Sequence, residues 1–216
     1  MTSSPPKDAP DDDTGAAPDP FVARDPLSAL RADRAAAREA RDANAELCML
    51  ATVDATGAPR VRTLVLRERE DGFALFVSRS SPKWRELAAE PRAELLCWFP
   101  ALQRQWRLEA TLTPLPPAAS RTSWHQRPRV AQLLDHFHAT QQAQSSPVPE
   151  ADTVARGLAA LDAQLPPEPE VPDVAGALSI DVTGAECMAL RRDPEPHRRL
   201  RWTREADGWR AEHLVP

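Results

Sequence analysis

Apolar positions recur at two different periods along this chain, and the changes of period mark out its elements. Residues 1–20 carry few apolar positions and are rich in Pro and Asp, which predicts a disordered tail. Asp25-Pro26 then joins an N-cap residue to Pro at the first helical position. Leu27 and Leu30 share a face, and an Ala/Arg/Glu-rich stretch extends the helix to about Ala45. From there the pattern turns to short β-like runs separated by turn residues. Strands are predicted over 46–54, 58–70, 73–78, 92–99 and 104–115. Asp54 to Gly57 and Asp71-Gly72 supply turns, and Ser81-Pro82 opens a short helix that ends before Pro91. Helical spacing returns over 117–126, 129–142 and 153–164, the last capped by Asp152. The Pro-rich stretch 165–172 reads as a surface connection. Strands over 177–183, 185–192, 199–204 and 208–214 close the chain. Strands joined by short turns favour antiparallel pairing. The expected fold is therefore α+β: one domain over 21–216, an antiparallel barrel of six to eight strands with peripheral helices.

Composition narrows the chemistry. The net charge is −5, so no global basic footprint for nucleic acid exists, and any anion site must be local. Only 7 residues are Gly, and neither GxGxxG nor a P-loop occurs, so a phosphate would be held by side chains and ordinary amides. Tyr is absent. The 3 cysteines are widely spaced in apolar runs, as buried reduced thiols of a cytoplasmic protein would be. No apolar stretch reaches transmembrane length, and the polar N-terminus does not resemble a signal peptide. His136 and His138 are spaced i,i+2 without further ligands, so no metal site is expected.

Several polar groups could hold an anion. On a strand, Arg62 shares a face with Arg60, Leu64 and Leu66, whereas Val61, Thr63 and Val65 share a face with Arg67. Either these arginines are solvated, or a half-buried Arg62 requires an anionic partner. Ser81 and Lys83 stand at a helix start, where free amides and the helix dipole favour negative charge; a plain N-cap beside a solvated lysine is the alternative. Gln105 lies on a polar strand face and can both donate and accept hydrogen bonds. Arg127-Pro128-Arg129 and Gln144-Ser145-Ser146 are unspecific when taken singly.

Taken in order, these segments resemble the pyridoxamine 5'-phosphate oxidase family. The resemblance runs from PRVRTLVLR through FALFVSRSSPKWRELAAEPRAELLCWF, RQWRLEATLTPL, SWHQRPRVAQL and QSS to the final HRRLRWTREADGWRAEHLVP. It implies a split β-barrel homodimer that binds FMN in a cleft between subunits. Arg62, Ser81 and Lys83 would hold the FMN phosphate. The backbone of Thr63, Leu64 and Val65 would line the flavin, with Phe76 and Val77 nearby. Gln105 would reach the isoalloxazine ring, and Gln144, Ser145 and Arg199 would complete the site, some from the partner chain. Arg67, Arg127 and His197 would face the substrate. Parity sets Arg62 and Arg67 on opposite faces, which a bulge or strong twist in the strand would reconcile with these roles.

The substrate side departs from the family pattern. Ser123 and Ala131 stand where the family has Tyr and Ser, Glu195-Pro196 where it has Arg-Leu, and Pro82 where it often has Arg. Met188 or Ala189 replaces an expected aromatic. A Glu in place of an Arg should repel an anionic substrate. The resemblance thus implies an FMN-dependent oxidoreductase acting on a small anionic molecule, with poor oxidation of vitamin B6 phosphates. A B6 oxidase with a remodelled pocket and a non-catalytic flavin or haem binder are the alternatives. No catalytic proton-transfer residue is identifiable.

Overall fold

The computed structural model describes residues 19–192 and 194–216, so the expected tail lies almost wholly outside the described residues. Helix α1 (Pro26–Glu39) precedes strands β1 (Leu47–Val53), β2 (Pro59–Arg69) and β3 (Gly72–Ser78). Helix α2 (Pro82–Ala89) leads into β4 (Arg92–Phe99) and β5 (Arg104–Pro114). Helices α3 (Pro117–His125), α4 (Arg129–Thr140) and α5 (Thr153–Gln164) follow, then β6 (Ala175–Ala189), β7 (Arg198–Glu205) and β8 (Gly208–Leu214). The strand order is β3-β2-β1-β4-β5-β6-β7-β8, and β3 also pairs with β6. Six antiparallel strands thus close a barrel, and β7–β8 extends the sheet beyond it.

Closure depends on the length of β6. Its residues Ala175–Ile180 pair with β3, and Gly184–Ala189 pair with β7. Against β5 its register shifts between Glu109 and Ala110, which leaves Thr183 as an extra residue. The pattern predicts two strands here; the structure has one, because the break is taken up by a bulge rather than a turn. Helix α1 likewise stops short of Ala45. Arg41 adopts φ 54° and the Asp42 amide bonds back to the Ala37 carbonyl at 2.8 Å, a left-handed stop made without glycine. Asp152 precedes α5 without capping it by a side-chain bond; its carboxylate pairs with Arg156 instead.

Burial alternates along β1, β4 and β5, so one face of the sheet fills the barrel and the other looks outward. Cys48, Leu50, Leu95, Cys97, Trp106, Leu108, Cys187 and Trp202 are inward and almost inaccessible. Burial pushes the Cys48 and Cys97 thiols up to about 12, which keeps both protonated and unreactive. Trp106 and Trp202 stack with centroids 5.6 Å apart. Helix α1 closes one end of the barrel with Leu30, Ala37, Asp33 and Arg34 buried. The fully buried Asp33 accepts the Trp106 indole N–H at 2.8 Å and also pairs with Arg104.

Helices α4 and α5 pack on a smaller core of Leu133, Phe137 and Leu161. Gly157 permits their approach: a Cβ there would overlap the Phe137 ring at Cε2. Gly157→Ala should therefore destabilise the chain by about 1–3 kcal/mol despite the better helix propensity of Ala. Thermal unfolding of the variant checks this; an unchanged or raised Tm would contradict the close packing.

Candidate functional site

The barrel is split between β2 and β3, and the split positions the anion-binding groups. Strand β2 pairs with β1 over Pro59–Val65 and with β3 over Leu66–Arg69. Beyond Leu75, β3 turns to β6 alone. Among the described residues, no strand pairs with the other edge of β2 over 59–65. Its backbone is thus open to a cleft of about 870 Å³, whose lining includes Arg62, Thr63, Leu64, Lys83, Gln144 and Ser145.

Helix α2 enters this cleft by its N-terminus. Ser81 is fully buried and caps the helix, its hydroxyl accepting the Trp84 amide at 3.3 Å. Lys83 is 8% exposed and donates from Nζ to Gln144 Oε1 at 2.9 Å. The Gln144 amide in turn donates to Ser80 Oγ at 3.1 Å, which fixes the 144–145 segment against the helix start. Lys83 forms no ion pair among the described residues. Burial, with the nearby Arg62 charge, lowers its pKa. A buried ammonium whose partner is a neutral amide is costly unless an anion arrives. This is the feature of the cleft that fits a phosphate.

Arg62 is held differently. Its guanidinium donates to Glu86 Oε2 at 2.7 Å, to Thr52 Oγ1 at 2.5 Å and to the Leu50 carbonyl at 3.3 Å. Thr52 also donates to Glu86 at 2.6 Å. The partner that a half-buried Arg62 requires is thus present within the chain. Sequence reading missed Glu86, although its i,i+3 spacing from Lys83 puts both on one face of α2.

The remaining expected residues lie in separate places. Val65 faces outward, 40% exposed, and Val77 belongs to the core. Phe76 lies in a second cavity of about 230 Å³, together with Arg67, Ser123 and Arg127. Gln105 and Arg199 lie across the sheet from the cleft, both in register with Met188, so the three form one band over β5, β6 and β7. Arg199 forks onto the buried Glu186 at 2.8 and 3.0 Å. His197 stands in the connection before β7, where its Nδ1 accepts the Arg191 amide at 3.0 Å. No bulge or register shift interrupts β2, so Arg62 and Arg67 do occupy opposite faces, and each serves its own cavity.

The outward face joins these groups. One row of register partners reads Thr63, Met49, Leu96, Arg107, Glu186, Arg201, Glu212, and the next contains Trp98, Gln105, Met188, Arg199 and Leu214. The face is apolar toward the cleft and charged toward the far hairpin.

A family model described as pyridoxamine 5'-phosphate oxidase matches residues 35–157 of this chain. The chain belongs to the pyridoxamine 5'-phosphate oxidase family. Relatives extend the likeness over about nine-tenths of the chain. The pyridoxine/pyridoxamine 5'-phosphate oxidase of Anaeromyxobacter dehalogenans is 36% identical over 201 residues, which cover 91% of this chain and 98% of that one. Its counterpart from Nocardioides sp. is 34% identical over 196 residues, 90% of each chain. Among solved structures, PhzG from Burkholderia lata 383, in complex with tetrahydrophenazine-1-carboxylic acid, matches with a TM-score of 0.80 at 22% identity, covering 90% of this chain and 94% of that one. A pyridoxamine 5'-phosphate oxidase-related, FMN-binding protein from Nostoc punctiforme gives a TM-score of 0.70 at 22% identity, over 88% and 98% of the two chains. The split barrel expected from the sequence is the fold of this family member. No helix among the described residues is long and apolar enough to cross a membrane.

Proposed function

We propose that this family member is an FMN-dependent oxidoreductase acting on a small anionic substrate. The observation that carries the reading is Lys83: a buried cation without a carboxylate partner, set beside Arg62 and the start of α2 in the split of the barrel. Lys83, Arg62 and the capped start of α2 at Ser81 would hold the FMN phosphate. Thr63, Leu64 and Val65 would offer backbone to the flavin, with Phe76 and Val77 behind, and Gln144 and Ser145 would close the phosphate end. FMN, when bound, supplies hydride transfer. Arg67, Arg127 and His197 would orient the substrate. With Nδ1 occupied by the Arg191 amide, the neutral His197 ring carries its proton on Nε2 and acts as a donor.

Gln105 and Arg199 would reach the flavin from a second copy. Val61, Val65, Met49, Leu96 and Trp98 leave an apolar, partly exposed area on the outward face that also carries the Gln105–Arg199 band. A homodimer through this face would cover that area and bring one copy's band to the other's cleft. Residues 21–216 would act as one FMN-binding domain in the reducing cytoplasm, which suits three free buried thiols.

The second reading, oxidation of pyridoxamine 5'-phosphate, is favoured by the 36% identity to an oxidase so named. Against it stand Ser123, Ala131 and Glu195, all on the substrate side. Purifying the full chain, recording its visible spectrum and assaying pyridoxamine 5'-phosphate under oxygen tests both. A yellow protein with little or no turnover of that compound is expected. A colourless protein that cannot be loaded with FMN would remove the first reading, and turnover at an ordinary enzymatic rate would install the second.

A further inference from the structure

The second cavity, on the face of β2 opposite Arg62, contains one cation that forms no ion pair among the described residues, although Glu46 lies near enough to feel its charge. Glu68 on its rim is engaged by Arg31, Arg34 and Arg38 of α1. Arg69 pairs with Asp71. Arg127 pairs with Asp135, a residue of α4 that is only 4% exposed. Arg67 alone among the arginines lining this cavity forms no ion pair among the described residues.

Asp135 is placed to do more than neutralise. Its Oδ2 accepts both the Arg127 guanidinium and the indole N–H of the buried Trp124, the latter at 2.8 Å. One turn earlier on α4, Gln132 donates to the carbonyls of His125 and Arg127, each at 3.1 Å, and so fixes the α3–α4 turn that carries Arg127. Arg127 therefore enters the cavity in one orientation with its charge already compensated. Phe76 and Leu115 supply apolar wall.

We propose that Asp135 is a positioning and specificity-determining residue. By compensating Arg127 it leaves the cavity one free cation, Arg67, and makes it a receptor for a monoanion, such as an aromatic carboxylate, rather than a phosphate dianion. Charge matching of this kind discriminates by leaving the second charge of a dianion without a cation of its own. The inference rests on the cavity being the substrate side of the proposed flavin site, and it names the class of substrate.

Calorimetric titration of the full chain in excess FMN, at pH 8, with benzoate and with phenyl phosphate tests it. At that pH benzoate carries one negative charge and phenyl phosphate two. Benzoate should bind the unsubstituted chain more tightly. Asp135→Asn keeps an acceptor for Trp124 and Arg127 but removes the charge, and should shift the affinity ratio toward phenyl phosphate on the order of tenfold. A purely structural role for Asp135 would weaken both ligands and leave the ratio alone. Arg67→Gln should abolish binding of both. Preference of the unsubstituted chain for phenyl phosphate, an unchanged ratio in a folded Asp135→Asn, or binding that survives Arg67→Gln would each overturn the proposal. If Asp135→Asn does not fold, the order of the two anions and the Arg67→Gln result still decide. Flavin absorbance separates this outcome from the function itself. A chain that takes up no FMN yet ranks the anions as stated removes the flavin reading alone. A yellow chain that prefers phenyl phosphate removes this inference alone.

Discussion

Arg62→Ala should weaken FMN binding by about 3 kcal/mol or more, roughly a hundredfold, and more than Lys83→Met does. The difference comes from what each substitution leaves behind. Without Lys83 the phosphate loses one charge-assisted bond, a loss of about 1–3 kcal/mol. Without Arg62 the cleft loses a cation and also gains a bare carboxylate. Glu86, whose side chain is 10% exposed, would keep only Thr52 as partner and would face the incoming dianion. The double variant Arg62→Ala with Glu86→Gln should accordingly recover part of the loss. Quenching of flavin fluorescence measures all of these, and equal affinities for Arg62→Ala and the double variant would contradict the account. Lys83 adds a pH signature. Its folded-state pKa lies below the ordinary lysine value of 10.5, chiefly through burial. The ammonium form holds the phosphate, so FMN affinity should fall as pH rises through this lowered pKa. The cofactor-free fold should respond with the opposite sign. Its buried ammonium is disfavoured, so its stability should rise over the interval between the lowered pKa and the unfolded value. Lys83→Met should abolish both trends.

Asp33→Ala is expected to produce the largest loss of stability, about 3–5 kcal/mol, or a fall in Tm on the order of 10 °C. Asp33 joins α1 to the barrel from a fully buried position. Its removal strands the indole N–H of Trp106 in the core and leaves Arg104, mostly buried, without its carboxylate. Burial raises the Asp33 pKa while Trp106 and Arg104 hold it down, so the carboxylate is costly to bury and more costly to lose once its partners are built around it. Asp33→Asn, which retains an acceptor for the indole, should lose less. Thermal unfolding of the two variants gives the comparison, and a Tm for Asp33→Ala within a degree or two of the unsubstituted chain would refute it.

Strand and helix identity was readable because it depends on spacing over a few residues. The alternation in LCMLATV and RAELLCWF predicts half-buried strands, and Asp25-Pro26 and Ser81-Pro82 announce helix starts; each appears within a residue or two of its expected place. Where local signals misled, a non-local contact or a rarer backbone conformation decided. Arg41 ends α1 in the left-handed region without a glycine to announce it. The break at Thr183 becomes a bulge because β5 remains paired on both sides of it.

By itself the sequence determined the strand order in time, the scarcity of glycine that leaves phosphate to side chains, and the set of cations from which an anion site could be built. It also separated Arg62 from Arg67 by parity, a consequence of the two-residue strand period that holds because no bulge interrupts β2. Only the tertiary structure decided which cations are free. Arg62 meets Glu86 from another element, Arg127 meets Asp135 and Arg199 meets Glu186, while Lys83 and Arg67 form no ion pair among the described residues. Such compensation is a matter of a few ångströms between residues far apart in the chain. Local spacing carries no information about it, and the energy of a half-buried charge depends on it most.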